Sequence, residues 1–182
     1  MVLLVLAVVV LLGVFLIGMY NSLVQLRVRS ESAWSDIDVQ LKRRHDLIPN
    51  LVETVKGYAA HEKDTFENVA KFRSMAMQAT GPVDKAAAEN QLTGALKSLF
   101  AVAENYPQLQ ASQEFTQLQN SLNEIEDAIQ NARRYYNAVV RDLNTKVQTF
   151  PTNIVAGMFH VQQRQFFDIT EPTQREPVAV KF

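Results

Sequence analysis

Apolar residues follow two different patterns along this chain, and the first is an unbroken run from Val2 to Met19. Every residue in the run is apolar or glycine, and the first charged side chain is Arg27. A helix over this run rises about 27 Å, close to the roughly 30 Å hydrocarbon core of a bilayer. The run therefore predicts a transmembrane anchor over residues 1–21, with Tyr20 at the interface. A cleaved signal peptide is disfavoured, because no basic segment precedes the run and no small-residue cleavage site follows it.

The second pattern is a spacing of three or four residues between apolar positions, which is typical of amphipathic helices. It covers residues 20–44 and resumes after Pro49. Proline inside a helix removes a hydrogen bond and clashes with the preceding turn. We therefore predict a tight turn or sharp kink at residues 44–48, with Asp46 as the N-cap of the next helix.

Glycine and proline residues mark the predicted ends of the later helices. The second amphipathic segment ends at Thr80-Gly81-Pro82, and a third runs from Asp84, as its N-cap, to Asn105-Tyr106-Pro107. A fourth begins at Ala111 or Ser112 and ends at Phe150-Pro151. It carries a heptad pattern sustained over four repeats. The heptad positions are Phe115, Leu118, Leu122, Ile125, Ile129, Ala132, Tyr136, Val139 and Leu143.

These segments predict an all-α fold, in which an N-terminal transmembrane helix is followed by an elongated antiparallel four-helix bundle. The bundle is expected over residues 22–160, with one or two helical turns at residues 154–159. Residues 161–182 are expected to form an extended C-terminal tail. The tail is either disordered or lies along the bundle with its apolar side chains in grooves. Those side chains are Phe166, Phe167, Val178, Val180 and Phe182.

The charged residues indicate how the chain is oriented in a membrane more clearly than they indicate a ligand or a reaction. The net charge of −1 gives no indication of nucleic-acid binding. Basic residues follow the apolar run, so the positive-inside rule predicts a single-pass protein of the inner membrane with its N-terminus outside and its helical domain in the cytoplasm. Arg27 and Arg29 contribute most to this prediction, since they lie nearest the run.

Residues suited to catalysis are sparse. The chain has no cysteine, and its histidines, His45, His61 and His160, do not pair at helical metal-ligand spacing. His61-Glu62 begins a metalloprotease motif, but Thr65 stands where a second histidine is required. We therefore predict no catalytic, cofactor or metal site and a non-enzymatic protein. A metal-dependent enzyme built from His45, His61 and nearby carboxylates remains an alternative.

Basic residues form the candidate contact surface for lipid headgroups or an acidic partner. The competing interpretation, which the adjacent Asp36, Asp38 and Asp46 favour, is a solvated helix face. In either case we expect residues 42–44 to face outward and Trp34 to face the core. The candidate residues are Arg27, Arg29, Lys42, Arg43, Arg44, Arg133 and Arg134.

Several stretches together resemble the LemA family of bacterial membrane proteins. The resemblance covers essentially the whole chain and is most specific in the run DVQLKRR, residues 38–44, followed by DLIPNLV, residues 46–52. The other matching stretches are Tyr20-Asn21-x-Leu23-Val24, residues 33–37, Glu89-Asn90-Gln91-Leu92, Ala132-Arg133-Arg134-Tyr135-Tyr136-Asn137, Thr149-Phe150-Pro151-Thr152-Asn153 and Phe166-Phe167.

The resemblance implies one N-terminal anchor, a four-helix antiparallel domain and no catalytic residue. It also implies a link to membrane proteostasis through HtpX-like metalloproteases, while some relatives serve in magnetosome formation. Our leading interpretation is a membrane-anchored adaptor or scaffold whose partner is a protein, such as a membrane protease, or a second copy of the chain. The alternative is a lipid-binding or membrane-remodelling protein.

Overall fold

The computed structural model describes residues 1–168, in which all regular secondary structure is helical. The helices are α1 Val2–Lys56, α2 Lys63–Gln78, α3 Pro82–Glu104, α4 Pro107–Gln110, α5 Gln113–Gln148 and α6 Thr152–Met158. No strand occurs in this part of the chain, and the predicted all-α class is confirmed. Three apolar residues of the predicted tail, Val178, Val180 and Phe182, lie outside the described residues.

Helix α1 continues through Pro49, so the predicted turn at residues 44–48 is wrong. The chain turns instead at residues 57–62, after α1 has ended at Lys56. Asp46, which was predicted to cap a new helix, lies inside α1. Its carboxylate is exposed and pairs with the Lys42 ammonium at 2.7 Å, one helical turn earlier. The hydrogen bond that Pro49 removes is replaced from another helix, as described below.

The predicted break at Thr80-Gly81-Pro82 is confirmed, since α2 ends at Gln78 and α3 begins at Pro82. Gly81 has a φ of 79°, a left-handed backbone angle that glycine adopts without a steric penalty. Pro82 then occupies the first turn, where a helix needs no backbone N–H. Gly81 takes the N-cap position, so the assignment of that role to Asp84 is wrong. Asp84 lies in the first turn, where a negative charge favours the helix dipole.

The heptad prediction for α5 is confirmed. Of its nine positions, Leu118 and Ala132 are half-buried and the other seven are buried. The Phe115 N–H donates to the Ser112 hydroxyl at 3.4 Å, which agrees with Ser112 as the start of the helix. Fully burying a side chain such as Leu122 or Ile129 contributes about 1.5–3 kcal/mol, so this stripe is a major source of stability.

The described chain divides into two compact units. Unit 1 comprises residues 1–38 and 131–166, and unit 2 comprises residues 39–130 together with Phe167 and Asp168. Helices α1 and α5 each contribute to both units because they are long.

Unit 2 is built on one hydrophobic core shared by the four long helices. This arrangement is consistent with the predicted four-helix bundle. Its buried residues include Ile48, Leu51 and Val55 of α1, Phe66, Val69 and Ala76 of α2, Leu92, Leu96 and Leu99 of α3, and Phe115 and Leu122 of α5.

Unit 1 has a smaller core, formed by Leu23, Leu143, Val155 and Ala156. Trp34 is half-buried with its ring centroid 5.3 Å from that of Tyr136, which agrees with the expected packing role.

Side chains of α5 hold the start of the predicted tail in unit 1. The Asn144 amide donates to the Arg164 carbonyl and accepts from the Arg164 N–H, both at 2.8 Å. The Tyr136 hydroxyl donates to the Gln165 carbonyl at 2.8 Å. Residues 161–165 are therefore ordered against α5.

Candidate functional site

Charged side chains converge at one place inside unit 2. Arg44 and His45 of α1 meet Glu89 and Thr93 of α3 and Glu126 of α5, and we call these five residues the buried ionic cluster. Glu89 is 0% exposed, Arg44 1% and His45 6%. Buried charges at this level are uncommon unless they are paired, so the cluster is the strongest candidate for a special role.

Arg44 lies in the core, and its predicted outward orientation is therefore wrong. The physical reason is its register: Arg44 follows Leu41 by three residues and precedes Ile48 by four, so it falls on the apolar stripe of α1. Its neighbours Lys42 and Arg43 point to other faces of the helix and are exposed.

The guanidinium of Arg44 bridges three acceptors on two helices. Nη1 donates to Glu89 Oε2 at 3.0 Å. Nη2 donates to the Thr93 hydroxyl at 2.7 Å and lies 2.9 Å from Glu126 Oε1. The planar guanidinium fork suits this geometry, because its N–H groups diverge in one plane. The third guanidinium nitrogen, Nε, is buried and has no hydrogen-bond partner among residues 1–168.

Glu89 is the acceptor at the centre of the cluster. Its second oxygen, Oε1, lies 2.7 Å from His45 Nε2, so two cationic or N–H donors hold the two carboxylate oxygens. The Thr93 hydroxyl donates in turn to the Glu89 backbone carbonyl at 2.9 Å. This bond orients the lone pairs of the Thr93 oxygen toward Arg44. Removing one partner of such a buried pair typically costs about 3–5 kcal/mol, because a charge is left uncompensated.

Glu126 completes the cluster on the α5 side and is about one-third exposed. Burial raises the pKa of Glu126 above its usual value of 4.5, against the opposing effect of Arg44. The negative charges of Glu89 and Asp127 act in the same direction as burial. Protonation of Glu126 is therefore more favourable in the folded protein than for a glutamate in water.

Arg73 of α2 explains how α1 passes through Pro49. Proline has no N–H, so the carbonyl of His45, four residues earlier, loses its helical partner. The Arg73 Nε donates to that carbonyl at 2.7 Å. A side chain from another helix thus satisfies the group that the proline leaves unpaired.

The chemistry available to the buried ionic cluster is limited by its burial. A substrate cannot reach Glu89 or Arg44 without opening the core, and His45 is bound to Glu89. Of the histidines proposed for a metal enzyme, His61 is exposed on the turn after α1. In residues 1–168, no group of three or more His, Cys, Asp or Glu side chains is placed to hold a metal ion. The ion pairs and hydrogen bonds of the cluster connect α1 to α3 and α5.

The structure does not gather the other predicted contact residues at one place. Arg27 is exposed and pairs with Glu31 at 3.2 Å, a contact that lowers the pKa of the Glu31 carboxyl. Arg43 is exposed and bonds the Gln40 side chain at 3.0 Å. Arg133 is half-buried, and Arg134 is exposed and donates to Asn131. Contact of these residues with lipid or a partner stays a prediction.

Arg29 is the exception, since it lines a groove in unit 1 with two further basic residues. The groove has a volume of about 430 Å³ and lies between α1 and α5. Arg141 and Lys146 of α5 line the opposite side, with Asp142 as the acidic residue among them. Lys146 also donates to the Ser22 hydroxyl. The groove thus carries a net positive charge next to the apolar run.

Sequence reasoning missed Glu89, Thr93, Glu126 and Arg73. One signal was available: Glu89 precedes Leu92 by three residues and Leu96 by seven, so it occupies the apolar stripe of α3. A carboxylate there, and an arginine on the stripe of α1, indicate a buried pair. Arg73 gives no such signal, because a bond to a backbone carbonyl leaves no pattern in the sequence.

Comparison with known proteins gives consistent matches. A family model described as the LemA family matches residues 33–182, which include the whole buried ionic cluster. Protein LemA of Metamycoplasma hominis is 28% identical over 159 residues, covering 85% of this chain and 71% of that protein. Magnetosome protein MamQ 2 of Paramagnetospirillum magneticum is 27% identical over 193 residues, covering 92% and 71%. Magnetosome protein MamQ of Magnetospirillum gryphiswaldense is 24% identical over 174 residues, covering 81% and 64%.

Proposed function

The chain belongs to the LemA family, and we propose that it is a non-enzymatic, membrane-anchored helical adaptor or scaffold that binds another protein. Its relatives and its long apolar helix make it a membrane-associated helical protein. The adaptor role, the partner and the membrane side are parts of the proposal.

The observation that carries the proposal is the burial of the one convergent cluster of charged groups described in unit 2. Active sites keep their reacting groups accessible in a cleft. Here Arg44 and Glu89 are sealed from solvent and paired with each other. Such an arrangement specifies the packing of a helical framework, and a framework of this kind presents surfaces to partners.

The anchoring part of the proposal rests on α1. Its most apolar 18-residue window has a mean hydropathy of 3.2, and only 6% of that window is buried. A core helix of comparable hydropathy would be covered by other helices. Arg27 and Arg29 follow the run and are exposed, which supports a cytoplasmic helical domain by the positive-inside rule.

The proposed partner surface includes Lys42 and Arg43, which are exposed on α1 in unit 2. Affinity purification from membranes after crosslinking in intact cells tests it. We expect the native chain to recover a specific protein, a membrane protease or a second copy, and the Lys42→Glu/Arg43→Glu variant to lose it. Arg44 is left unchanged, because reversing a buried charge would unfold the domain.

The matched control is Lys63→Glu/Lys71→Glu, which changes the charge equally at two exposed positions of the same unit. It should retain the partner. Recovery of no specific protein with any of the three chains would contradict the adaptor proposal. Equal loss with both variants would show that net charge, and not the α1 surface, governs binding.

The basic groove of unit 1 favours a second candidate function, the binding of anionic lipid headgroups. Arg29, Arg141 and Lys146 line it, and Ser22 at its edge follows the apolar run by three residues. Attraction of basic side chains to an anionic leaflet is worth about 1 kcal/mol per charge near the surface.

Mass spectrometry of the detergent-purified full chain, with anionic and zwitterionic lipids offered together, tests this second function. The native chain should retain anionic lipid, and Arg141→Ala should lose it. Arg134→Ala removes an exposed arginine from the same helix outside the groove and should behave like the native chain. Equal retention by all three, or no preference for anionic lipid, would exclude the groove as the site.

A further inference from the structure

Helix α6 presents an exposed apolar face that the proposed function does not use. Phe150, just before the helix, is 80% exposed, Ile154 is 54% exposed and Met158 is 67% exposed. Ile154 and Met158 are four residues apart within α6, so they lie on one side of the helix. Phe159, 53% exposed, extends the same region, and we call these four residues the α6 apolar patch.

The patch cannot turn inward, because the other side of α6 is already packed. Val155 and Ala156 are 2% and 1% exposed and form the core of unit 1 with Leu23 and Leu143. The backbone on both sides of α6 is also bonded: the Thr152 hydroxyl donates to the Lys146 carbonyl at 2.6 Å, and the Val161 N–H donates to the Ala156 carbonyl at 2.9 Å. The exposure of the patch is therefore built into the fold of unit 1.

The patch is continuous with the end of the apolar run. The ring centroids of Phe159 and Tyr20 are 4.4 Å apart, and Tyr20 directly follows Met19, the last residue of the run. Met19 itself packs against the unit 1 core, as does Leu26. Phe159, at one end of the α6 apolar patch, therefore contacts α1 at the residue that follows the run.

We propose that the α6 apolar patch is a second membrane contact, inserted into the interfacial region of the leaflet where the anchor emerges. Aromatic side chains are enriched at this depth, and short apolar helix faces lie there in the plane of the bilayer. Lipid is the occupant that the structure favours, because the patch borders the lipid-exposed surface of α1. The inference rests on the proposed anchoring of residues 2–19 and not on the adaptor role.

Nitroxide labelling tests the proposal on the full chain, which has no cysteine of its own. Single substitutions Met158→Cys and, as a second patch position, Ile154→Cys are labelled and reconstituted in lipid nanodiscs. Tyr135→Cys is the matched control, since Tyr135 belongs to unit 1 and is 54% exposed. Val9→Cys, inside the run and 61% exposed, reports whether the anchor is inserted.

Power saturation compares the accessibility of each label to oxygen, which partitions into lipid, and to a water-soluble nickel chelate. We expect the oxygen-to-nickel ratio at Met158 and Ile154 to be severalfold above that at Tyr135 and below that at Val9. A ratio at both patch positions equal to that at Tyr135, with a lipid-like Val9, would overturn the patch proposal and leave the anchor standing.

Two other outcomes also overturn it. Labels at Met158 and Ile154 that neither reagent reaches would show that protein, a second copy or a partner, covers the patch. A water-like Val9 label would overturn the anchoring and the patch together. Because none of these readings depends on recovering a partner, failure here is distinct from failure of the adaptor proposal.

Discussion

The Arg73 side chain and the His45 backbone carbonyl form a 2.7 Å hydrogen bond that lets α1 continue through Pro49. Proline inside a helix ordinarily costs about 3 kcal/mol, in part through the lost hydrogen bond. In this chain α2 supplies the missing donor. The contact also connects α2 to the turn of α1 that carries Arg44 and His45. The carbonyl that Pro49 leaves unpaired and the α1 residues of the buried ionic cluster therefore lie on the same turn of this helix.

A double-mutant cycle tests this relationship. Arg73→Met should lower the free energy of unfolding by about 1–3 kcal/mol, because the His45 carbonyl loses its donor. In a Pro49→Ala background the same substitution should cost less, since the introduced alanine would supply a backbone N–H to that carbonyl. Urea unfolding of the four full-length chains in detergent gives the coupling free energy between the substitutions at positions 73 and 49.

Lys63→Met is the control for that cycle, since Lys63 is an exposed cation of α2. It should change the unfolding free energy by no more than about 0.5 kcal/mol in either background. A cost of Arg73→Met that is the same with proline and with alanine at position 49 would rule out the compensation described here.

Arg44→Lys should destabilise unit 2 although it keeps the charge. A lysine ammonium is a single point charge and cannot bridge Glu89, Thr93 and Glu126 as the guanidinium does. We expect a loss of about 2–4 kcal/mol in the free energy of unfolding, somewhat less than the roughly 3–5 kcal/mol for a broken buried ion pair, because the lysine keeps the charge. The adjacent exposed Arg43→Lys should be neutral. Equal melting temperatures for the two variants would mean that the Arg44 geometry does not matter.

Stability should depend on pH through Glu126. Its folded-state pKa is raised, so the folded protein binds a proton more readily than the unfolded chain. The sign follows: the unfavourable contribution of Glu126 is absent below the usual pKa of 4.5 and grows as pH rises through the folded-state pKa. The free energy of unfolding of Glu126→Gln, taken relative to that of the native chain at the same pH, should therefore increase as pH rises above 4.5.

Asp46 provides the control of opposite sign. The hydrogen bond from Lys42 lowers the pKa of Asp46, so its favourable contribution is present above the usual pKa and is lost as pH falls. Asp46→Asn should therefore lose stability relative to the native chain as pH rises. Thermal unfolding of all three chains from about pH 2 to pH 7 tests both assignments, because the contribution of Asp46 changes below its usual pKa of 3.8 and that of Glu126 changes above 4.5. A change of Glu126→Gln in the same direction as Asp46→Asn would refute the assignment.

Asn144→Asp should release residues 161–165 from α5. The aspartate keeps an acceptor for the Arg164 N–H but places a negative charge against the Arg164 carbonyl, where the native amide donates. Hydrogen exchange at the Arg164 amide should accelerate by about tenfold or more, as expected for the loss of one to two hydrogen bonds. Asn120→Asp, at an exposed position of α5, should leave that exchange rate unchanged. An unchanged rate in Asn144→Asp would contradict the role of Asn144 in holding residues 161–165.

The heptad of α5 and the glycine-proline break at residues 80–82 could be predicted from the sequence, because each depends only on residues that are close together in the chain. A three-and-four spacing determines which face of a helix is apolar, and Gly81 allows a backbone angle that other residues avoid. The same logic identified the apolar run from Val2 to Met19. The family resemblance was equally readable, since it depends on residue identity and not on contacts.

The buried ionic cluster and the continuity of α1 depended on tertiary structure. By itself the sequence determined where helices form and which positions are apolar, since these follow from periodicity within one segment. It did not determine that Pro49 is tolerated, because the donor that compensates for it is Arg73, 28 residues from the His45 carbonyl it bonds. Nor did it determine that Arg44 is buried, because the partner that makes burial possible, Glu89, is 45 residues away on α3. The local sequence indicates the free-energy cost of a proline inside a helix or of a buried charge. The group that offsets this cost is distant in the chain, and only tertiary packing places it in contact.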